Sequence, residues 1–280
     1  MTIALIANPQ TQAIGEAFTA VKQELETLGA RVLQSKDGAS FPPADTDSLL
    51  EQSDLAIALG GDGTIIHIAK RAARYRRAVL GINSGHLGFT AGLEADELPQ
   101  LSALIDGRYT IEQRMLLEIE LCGPAGGRPL RSYCALNEAV ISRGSLSRMV
   151  ELEVTSSGEP VTEYRADGVI VAAPTGSTAY SLSAGGPIID PKVNCLLMTP
   201  VCPHSLYNRS YIFSDTAKIT VRPLSPADRE VYLTIDGEEG ARLDPGSVVT
   251  ISRSGDDARL IKIKSGDFYD ILNRKLMDRR

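Results

Sequence analysis

Apolar residues recur along this chain at two different periods, and the change between them divides it. In the first third, short apolar runs alternate with stretches of helical period. Residues 3–7 read as a strand that stops at Asn8-Pro9. Ile14, Phe18, Val21, Leu25 and Leu28 then recur at spacings of four, three, four and three, which is one face of a helix. Gly29 follows where a C-cap glycine belongs. Residues 31–33 suggest a second strand, and the polar stretch 36–47 (KDGASFPPADTD) a loop. Residues 55–59 form a third strand, 64–75 a helix with Ile65, Ile68, Ala69 and Ala72 inward, and 79–82 a fourth strand. Strands that alternate with helices predict a parallel sheet covered on both faces.

After about residue 105 the dominant period becomes two. Leu117, Ile119 and Leu121 alternate with Glu118 and Glu120, and Val150, Leu152 and Val154 with Glu151 and Glu153. Val231, Leu233 and Ile235 alternate with Tyr232 and Thr234. These are half-buried strands with one wet face. The breaks CGPAGGRP, SSGEP and RPLSPAD separate them, which predicts a second, β-sandwich-like domain. The tail, 267–280, carries Phe268, Ile271, Leu272 and Leu276 and reads as a helix that returns to the first domain. The expected fold is an amino-terminal α/β domain with a mostly parallel sheet, residues 1–108 completed by 266–280. An all-β domain, residues 109–265, follows it.

Composition narrows the class. With 280 residues, 43% hydrophobic and 23% charged, the chain can bury real cores. A net charge of -6 argues against a protein that coats nucleic acid or an anionic membrane. No apolar run approaches the ~18 residues of a membrane span, and MTIALIANPQ lacks the charged leader of a signal peptide. The four cysteines, Cys122, Cys134, Cys195 and Cys202, contain no CxxC pair, and His67, His86 and His204 are scattered. That spacing fits neither a zinc module nor a disulfide framework and suits reduced thiols in the cytoplasm.

Two stretches carry candidate chemistry. Residues 60–64, Gly60-Gly61-Asp62-Gly63-Thr64, join the third strand to its helix. Ligands of open α/β sheets bind at the carboxyl ends of the strands. Glycines let a backbone approach phosphate closely, and a helix start offers free N–H groups. The carboxylate of Asp62 would repel phosphates unless it holds Mg²⁺ or accepts a proton from an attacking hydroxyl. The plainer alternative is that Asp62 caps a helix beginning at Thr64. A second glycine-rich turn, GINSGHLGF, follows the fourth strand and ends at Phe89.

The other stretch is YRADGVIVAAPTGSTAYSLSAGGP, residues 164–187. Its small hydroxylated residues after a buried strand make a ligand cradle with side-chain and backbone donors. Tyr180 could stack on or flank a base, or be an ordinary core tyrosine. Ser177 stands in TGSTA rather than GxSxG, so no hydrolase triad is indicated. An adjacent amide and carboxylate, Asn137-Glu138, follow the strand-like YCAL; the pair could read a hydroxyl-bearing or base-bearing ligand, and taken alone is more often a solvated strand end.

GGDGT, the Asn-Glu pair, RADGVIVAAPTGSTAYSLSAGGPI and a late LTIDG, in this order, resemble the NAD kinase family. Lipid kinases of the diacylglycerol and sphingosine type carry a turn like GGDGT, but the polar cradle distinguishes the two. The resemblance implies transfer of the terminal phosphate of ATP, or of polyphosphate, to the adenosine ribose 2′-OH of NAD, with Mg²⁺. It implies a site between the domains, and a homodimer or homotetramer. Asp62 matches the family's catalytic base. Matching NAD contacts are Asp62, Gly63, Phe89, Asn137, Glu138, Asp167, Thr178, Ala179, Tyr180, Ser181, Leu182 and Ser183, with His67, Arg148 and Arg165 as further polar positions. Gly60, Gly61, Gly63 and Thr64 would seat the phosphate donor. Where the family carries Gln after Asp236-Gly237, this chain has Glu238-Glu239.

Overall fold

The computed structural model describes residues 1–8, 12–35, 41–83, 88–124, 127–144, 148–205, 208–224, 229–264 and 268–277. The chain forms two compact units, Met1–Gln113 with Asp256–Arg280, and Arg114–Gly255.

In the first unit the strands are β1 (Thr2–Ala7), β2 (Arg31–Leu33), β3 (Leu55–Leu59), β4 (Ala78–Asn83) and the short β5 (Leu93–Glu94). The helices are α1 (Gln12–Thr27), α2 (Thr46–Gln52), α3 (Asp62–Arg74) and α4 (Leu101–Ile105). All the strand pairs here are parallel: β1 lies between β2 and β3, β4 follows β3, and β5 extends from the end of β4. The sheet is buried on both faces, which is why β3 and β4 are continuous apolar runs rather than alternating ones. Leu80 and Ile82 point into a core shared with Val21 and Leu25 of α1 and Leu101 and Leu104 of α4. Gly81, between them, points the other way, where a Cβ would meet Ile65 of α3 at 2.6 Å. Helix α2 replaces the end of the expected loop. It is a seven-residue, largely polar segment, and only Thr46, Leu49 and Leu50 are buried.

The second unit opens with β6 (Thr110–Cys122), then β7 (Arg131–Ala135), β8 (Glu138–Arg143), β9 (Val150–Ser156), β10 (Glu159–Ala166) and β11 (Gly168–Ala172). A 3-10 turn (Pro174–Thr178) and the single-turn α5 (Tyr180–Ser183) follow. Then come β12 (Cys195–Val201), β13 (Tyr211–Ser214), β14 (Ile219–Pro223), β15 (Val231–Ile235), β16 (Glu239–Leu243) and β17 (Val248–Lys262), and the chain ends in the first unit with α6 (Phe268–Met277). One sheet runs β13-β12-β11-β8-β15-β16, antiparallel throughout. The other contains β10, β9, β14 and the first half of β17, also antiparallel. Their facing side chains form one core, in which Val150, Leu152 and Val154 meet Val169, Val171, Leu233 and Ile235. The opposite face of β11 is covered as well: Ile170 and Ala172 pack with Ile189 and Cys195. The expected fold class, an α/β domain followed by an antiparallel β domain and a final helix, is what the chain adopts. Strand β17 belongs to both units. Its later residues pair in parallel with β4, Arg259 opposite Ala78, and lead into α6.

Candidate active site

In the first unit the site grows from the β3–α3 turn. Gly60 has φ 153°, and a Cβ there would lie 2.6 Å from Thr64 Oγ1, so this corner requires glycine. Its N–H donates to the Ile82 carbonyl at 3.0 Å, which ties the turn to β4. Gly61 is the N-cap of α3. A helix leaves its first N–H groups without internal partners and carries partial positive charge there. Here those groups belong to GGDGT, with Gly63 exposed and Thr64 buried.

Asp62 does not cap the helix. It is the first helical residue, and its carboxylate reaches instead to the segment after β4. It accepts the Phe89 N–H at 3.2 Å, the Thr90 N–H at 3.1 Å and the Thr90 hydroxyl at 2.6 Å. A Cβ on Gly88 would fall 2.4 Å from Asp62 Oδ1, so glycine leaves the carboxylate its seat. Lys275 of α6 places its ammonium 3.4 Å from Asp62 Oδ2 and 4.3 Å from the centre of the Phe89 ring. The same ring lies 6.1 Å from that of Phe268. Burial pushes the Asp62 carboxyl up, but Thr90, Lys275 and the two backbone N–H groups outweigh it and hold it below its ordinary value. Asp62 is therefore an anion at neutral pH. His67 lies about 140° around α3 from Asp62, at 100° per residue. Its ring packs on Phe41 with centroids 5.3 Å apart. His86 lies outside the described residues.

In the second unit three stretches distant in sequence meet. Asp236, at φ 48° in the β15–β16 turn, accepts the N–H groups of Leu136, Asn137 and Glu138 at 3.1, 2.8 and 3.1 Å. The Asn137 carbonyl accepts the Ala173 N–H at 2.8 Å. A Cβ on Gly176 would lie 2.2 Å from that same carbonyl oxygen. The Asn-Glu pair, the TGSTA turn and the late Asp-Gly are thus one cluster. Within it Glu138 is 5% exposed, and its Oε2 has no hydrogen-bond partner among the described residues. Burial, with the charge of Asp236 added, pushes its carboxyl up to about 8.

The hydroxyls of the cradle divide into two kinds. Ser177 is buried and fully used, donating to the Ile189 carbonyl and accepting its N–H. Ser181 is buried and bonded to Thr199 at 2.8 Å. These two hold the loop together. Thr178, Ala179 and Leu182 are half-buried, while Tyr180, at 45% exposure, and Ser183 face outward. Asp167 is engaged by Arg143 at 2.6 Å. Arg148 and Arg165 are exposed, the latter opposite Glu151 in the β9–β10 ladder. Glu238 is also exposed, its N–H donating to the Ile235 carbonyl at 3.1 Å.

Sequence reasoning did not find Thr90, Lys275, Arg143 or the clamping role of Asp236. Asp236-Gly237 between alternating strands signals a hairpin turn, but not what its carboxylate holds.

The raised Glu138 carboxyl predicts a pH-dependent stability. The unfolded chain releases this proton near pH 4.5 and the folded chain near 8. Between those values the native state binds more protons, so stability falls as pH rises through the window. The cost reaches on the order of 3–5 kcal/mol above the upper value. In Glu138→Gln the dependence disappears. Thermal unfolding should show the variant gaining over the parent from pH 5 to 8 and levelling off beyond. Parallel melting curves for the two proteins would rule the buried proton out.

The ATP-NAD kinase N-terminal domain family matches residues 3–109, and the ATP-NAD kinase C-terminal domain family matches residues 136–263. An NAD kinase of Symbiobacterium thermophilum is 43% identical over 98% of both chains. One of Caldanaerobacter subterraneus is 40% identical over 91% of this chain and 87% of its own. Yeast NADH kinase, solved with NADH, superposes with a TM-score of 0.89 at 27% identity over 99% of this chain and 87% of its own. An NAD kinase from Archaeoglobus fulgidus, solved with ATP, shares the fold with a TM-score of 0.79 at 24% identity, over 99% of each chain.

Proposed function

The chain belongs to the NAD kinase family, and we propose that it transfers the terminal phosphate of ATP to the adenosine ribose 2′-OH of NAD. The observation that carries this reading is Asp62, an anion held by fixed donors at the first turn of a helix whose start can seat phosphate. Phosphoryl transfer asks little covalent chemistry of a protein and much positioning and charge.

In this reading the donor phosphates lie at Gly60, Gly61, Gly63 and Thr64. Among the described residues no group of three His, Cys, Asp or Glu side chains could hold a metal ion. Mg²⁺ is read as part of the substrate, carried on the ATP phosphates, where it neutralises their charge. The adenosine 2′-oxygen of NAD attacks the γ-phosphorus. The new O–P bond forms as the bond to ADP breaks, and the hydroxyl proton passes to Asp62. A ribose hydroxyl is a poor nucleophile in water, but it acidifies as it bonds to phosphorus, so an ionised carboxylate suffices as acceptor.

The second unit would hold the nucleotide. Asn137 and Glu138 take a hydroxyl-bearing part of NAD, Glu138 through its free buried oxygen. Thr178, Ala179, Tyr180 and Ser183 take the adenosine, with Tyr180 exposed and ready to cover a base. Ser181 and Leu182 shape that loop from behind. Asp167 acts through the Arg143 pair. We further read the enzyme as a cytoplasmic homodimer or homotetramer without nucleic-acid or membrane partners. No described helix is long and apolar enough to cross a membrane.

The test is an end-point assay of the purified protein with NAD, ATP and Mg²⁺, in which a dehydrogenase specific for NADP reads the product. Polyphosphate and NADH run in parallel wells. NADP formation is the expected result. No phosphorylated product with any donor would sink the reading.

A further inference from the structure

Among the described residues, Lys275 is the side chain at Asp62 that neither the helix-start turn nor its pairing with β4 explains. It comes from α6, far along the chain, and its ammonium touches two groups of the site at once, Asp62 Oδ2 at 3.4 Å and the face of Phe89 at 4.3 Å. About 30% of its side chain remains open to solvent, as does about 31% of Asp62, so a substrate can reach both. An ammonium on a four-carbon stem is mobile and strongly hydrated. Here the aromatic face and the carboxylate together fix where it waits. Among the described residues, the other groups that hydrogen-bond Asp62 are the Thr90 hydroxyl and the N–H groups of Thr90 and Phe89, which are neutral. Lys275 thus supplies the full positive charge in this contact set.

We propose that Lys275 is a working residue of the phosphoryl transfer, which pairs with the Asp62 carboxylate before the reaction and turns to the transferred phosphate during it. The proposal rests on the assignment of Asp62 as proton acceptor. The sequence of charges gives the reason. Before transfer, Lys275 is matched to the Asp62 anion. As the 2′-oxygen bonds to phosphorus, its proton moves to Asp62 and the carboxyl becomes neutral. The ion pair is then lost, and the ammonium has no counter-charge at 3.4 Å. The negative oxygens of the arriving phosphoryl group are the nearest anion this chemistry creates. The interaction is therefore stronger after proton transfer than before it, and only such interactions raise kcat. No bond to Lys275 forms or breaks, and its own proton count stays fixed.

The experiment compares Lys275→Met and Lys275→Arg with the parent and with Asp62→Asn, using full pH profiles of kcat and kcat/KM and direct NAD titration. Lys275→Met should lose about 100-fold in kcat, the typical cost of one fixed donor at a developing charge. Its NAD affinity should stay within about threefold of the parent, because the residue acts late. Removing the cation should move the acid limb of kcat/KM to higher pH, since that limb reports the free enzyme. Lys275→Arg should restore the limb and most of kcat. A structural role alone would move melting temperature and leave the acid limb in place. A kcat that rises in Lys275→Met would show the ion pair to be a brake, and an unchanged kcat or acid limb would equally overturn the proposal. Should Lys275→Met fail to fold, Lys275→Gln, which keeps the stem, replaces it. If Asp62→Asn is fully active, the underlying assignment has failed. If Asp62→Asn is dead while Lys275→Met behaves as the parent, only the present inference has.

Discussion

Asp62→Asn should abolish NADP formation while leaving the protein folded and able to bind NAD. The amide keeps the shape but cannot take a proton at neutral pH, so the general-base contribution, roughly 10²–10⁴-fold, is lost. A second loss follows from the surroundings. The carboxylate accepts three hydrogen bonds from Phe89 and Thr90, and an amide can accept them only through its oxygen. Its NH₂ group would face the Phe89 N–H or Lys275, donor against donor. The side chain then swings, and the acceptor position is vacated as well as neutralised. We expect kcat to fall at least 10³-fold with NAD affinity within a few-fold of the parent, as read by turnover and by calorimetric titration. Retention of more than a tenth of the activity would show that another group takes the proton.

The second large effect belongs to Gly176. Any Cβ at this position would lie 2.2 Å from the Asn137 oxygen and 2.6 Å from its carbonyl carbon, both backbone atoms. Neither a rotamer change nor a small side-chain shift relieves such an overlap. The TGSTA turn must separate from the Asn-Glu segment, and the Ala173 N–H bond to Asn137 breaks with it. Gly176→Ala should therefore weaken NAD binding by 100-fold or more and lower stability by about 2–4 kcal/mol, within the range of overpacking and lost buried hydrogen bonds. Calorimetric NAD titration and thermal melting read the two consequences separately. Near-parental affinity would mean that the two motifs do not bind one ligand together.

How much of this was legible depends on the distance over which each feature is determined. The strand–GGDG–helix turn was readable because every part of it is local: an apolar run, glycines at a forced corner, and a helical period beyond. The orientation of Asp62 was not. Whether it caps α3 or reaches across depends on Gly88, Phe89 and Thr90, which stand beyond a whole helix and strand. Lys275 was further out of reach. Its partner is 213 positions away, and a lysine in a tail helix has no local mark of function. Asn137-Glu138 was visible as a polar pair, yet after YCAL it also resembles a solvated strand end. Only the fold shows Glu138 to be 5% exposed, as the first residue of β8 under the Asp236 clamp. Helix α2 escaped because TDSLLEQ buries too few residues to establish a period.

One feature of the fold bears on how the enzyme is made. The first unit is not contiguous: β17 and α6 complete it after the whole of the second unit has been threaded into the chain. During synthesis at about 5–20 residues per second, domains fold as they emerge. The strand edge of β4 that pairs with Arg259 and Leu260 must wait for residues that follow the whole second unit. Lys275 reaches Asp62 only then. The nascent chain can therefore complete the second unit before the first, whose sheet closes only after residues beyond Asp256 have emerged.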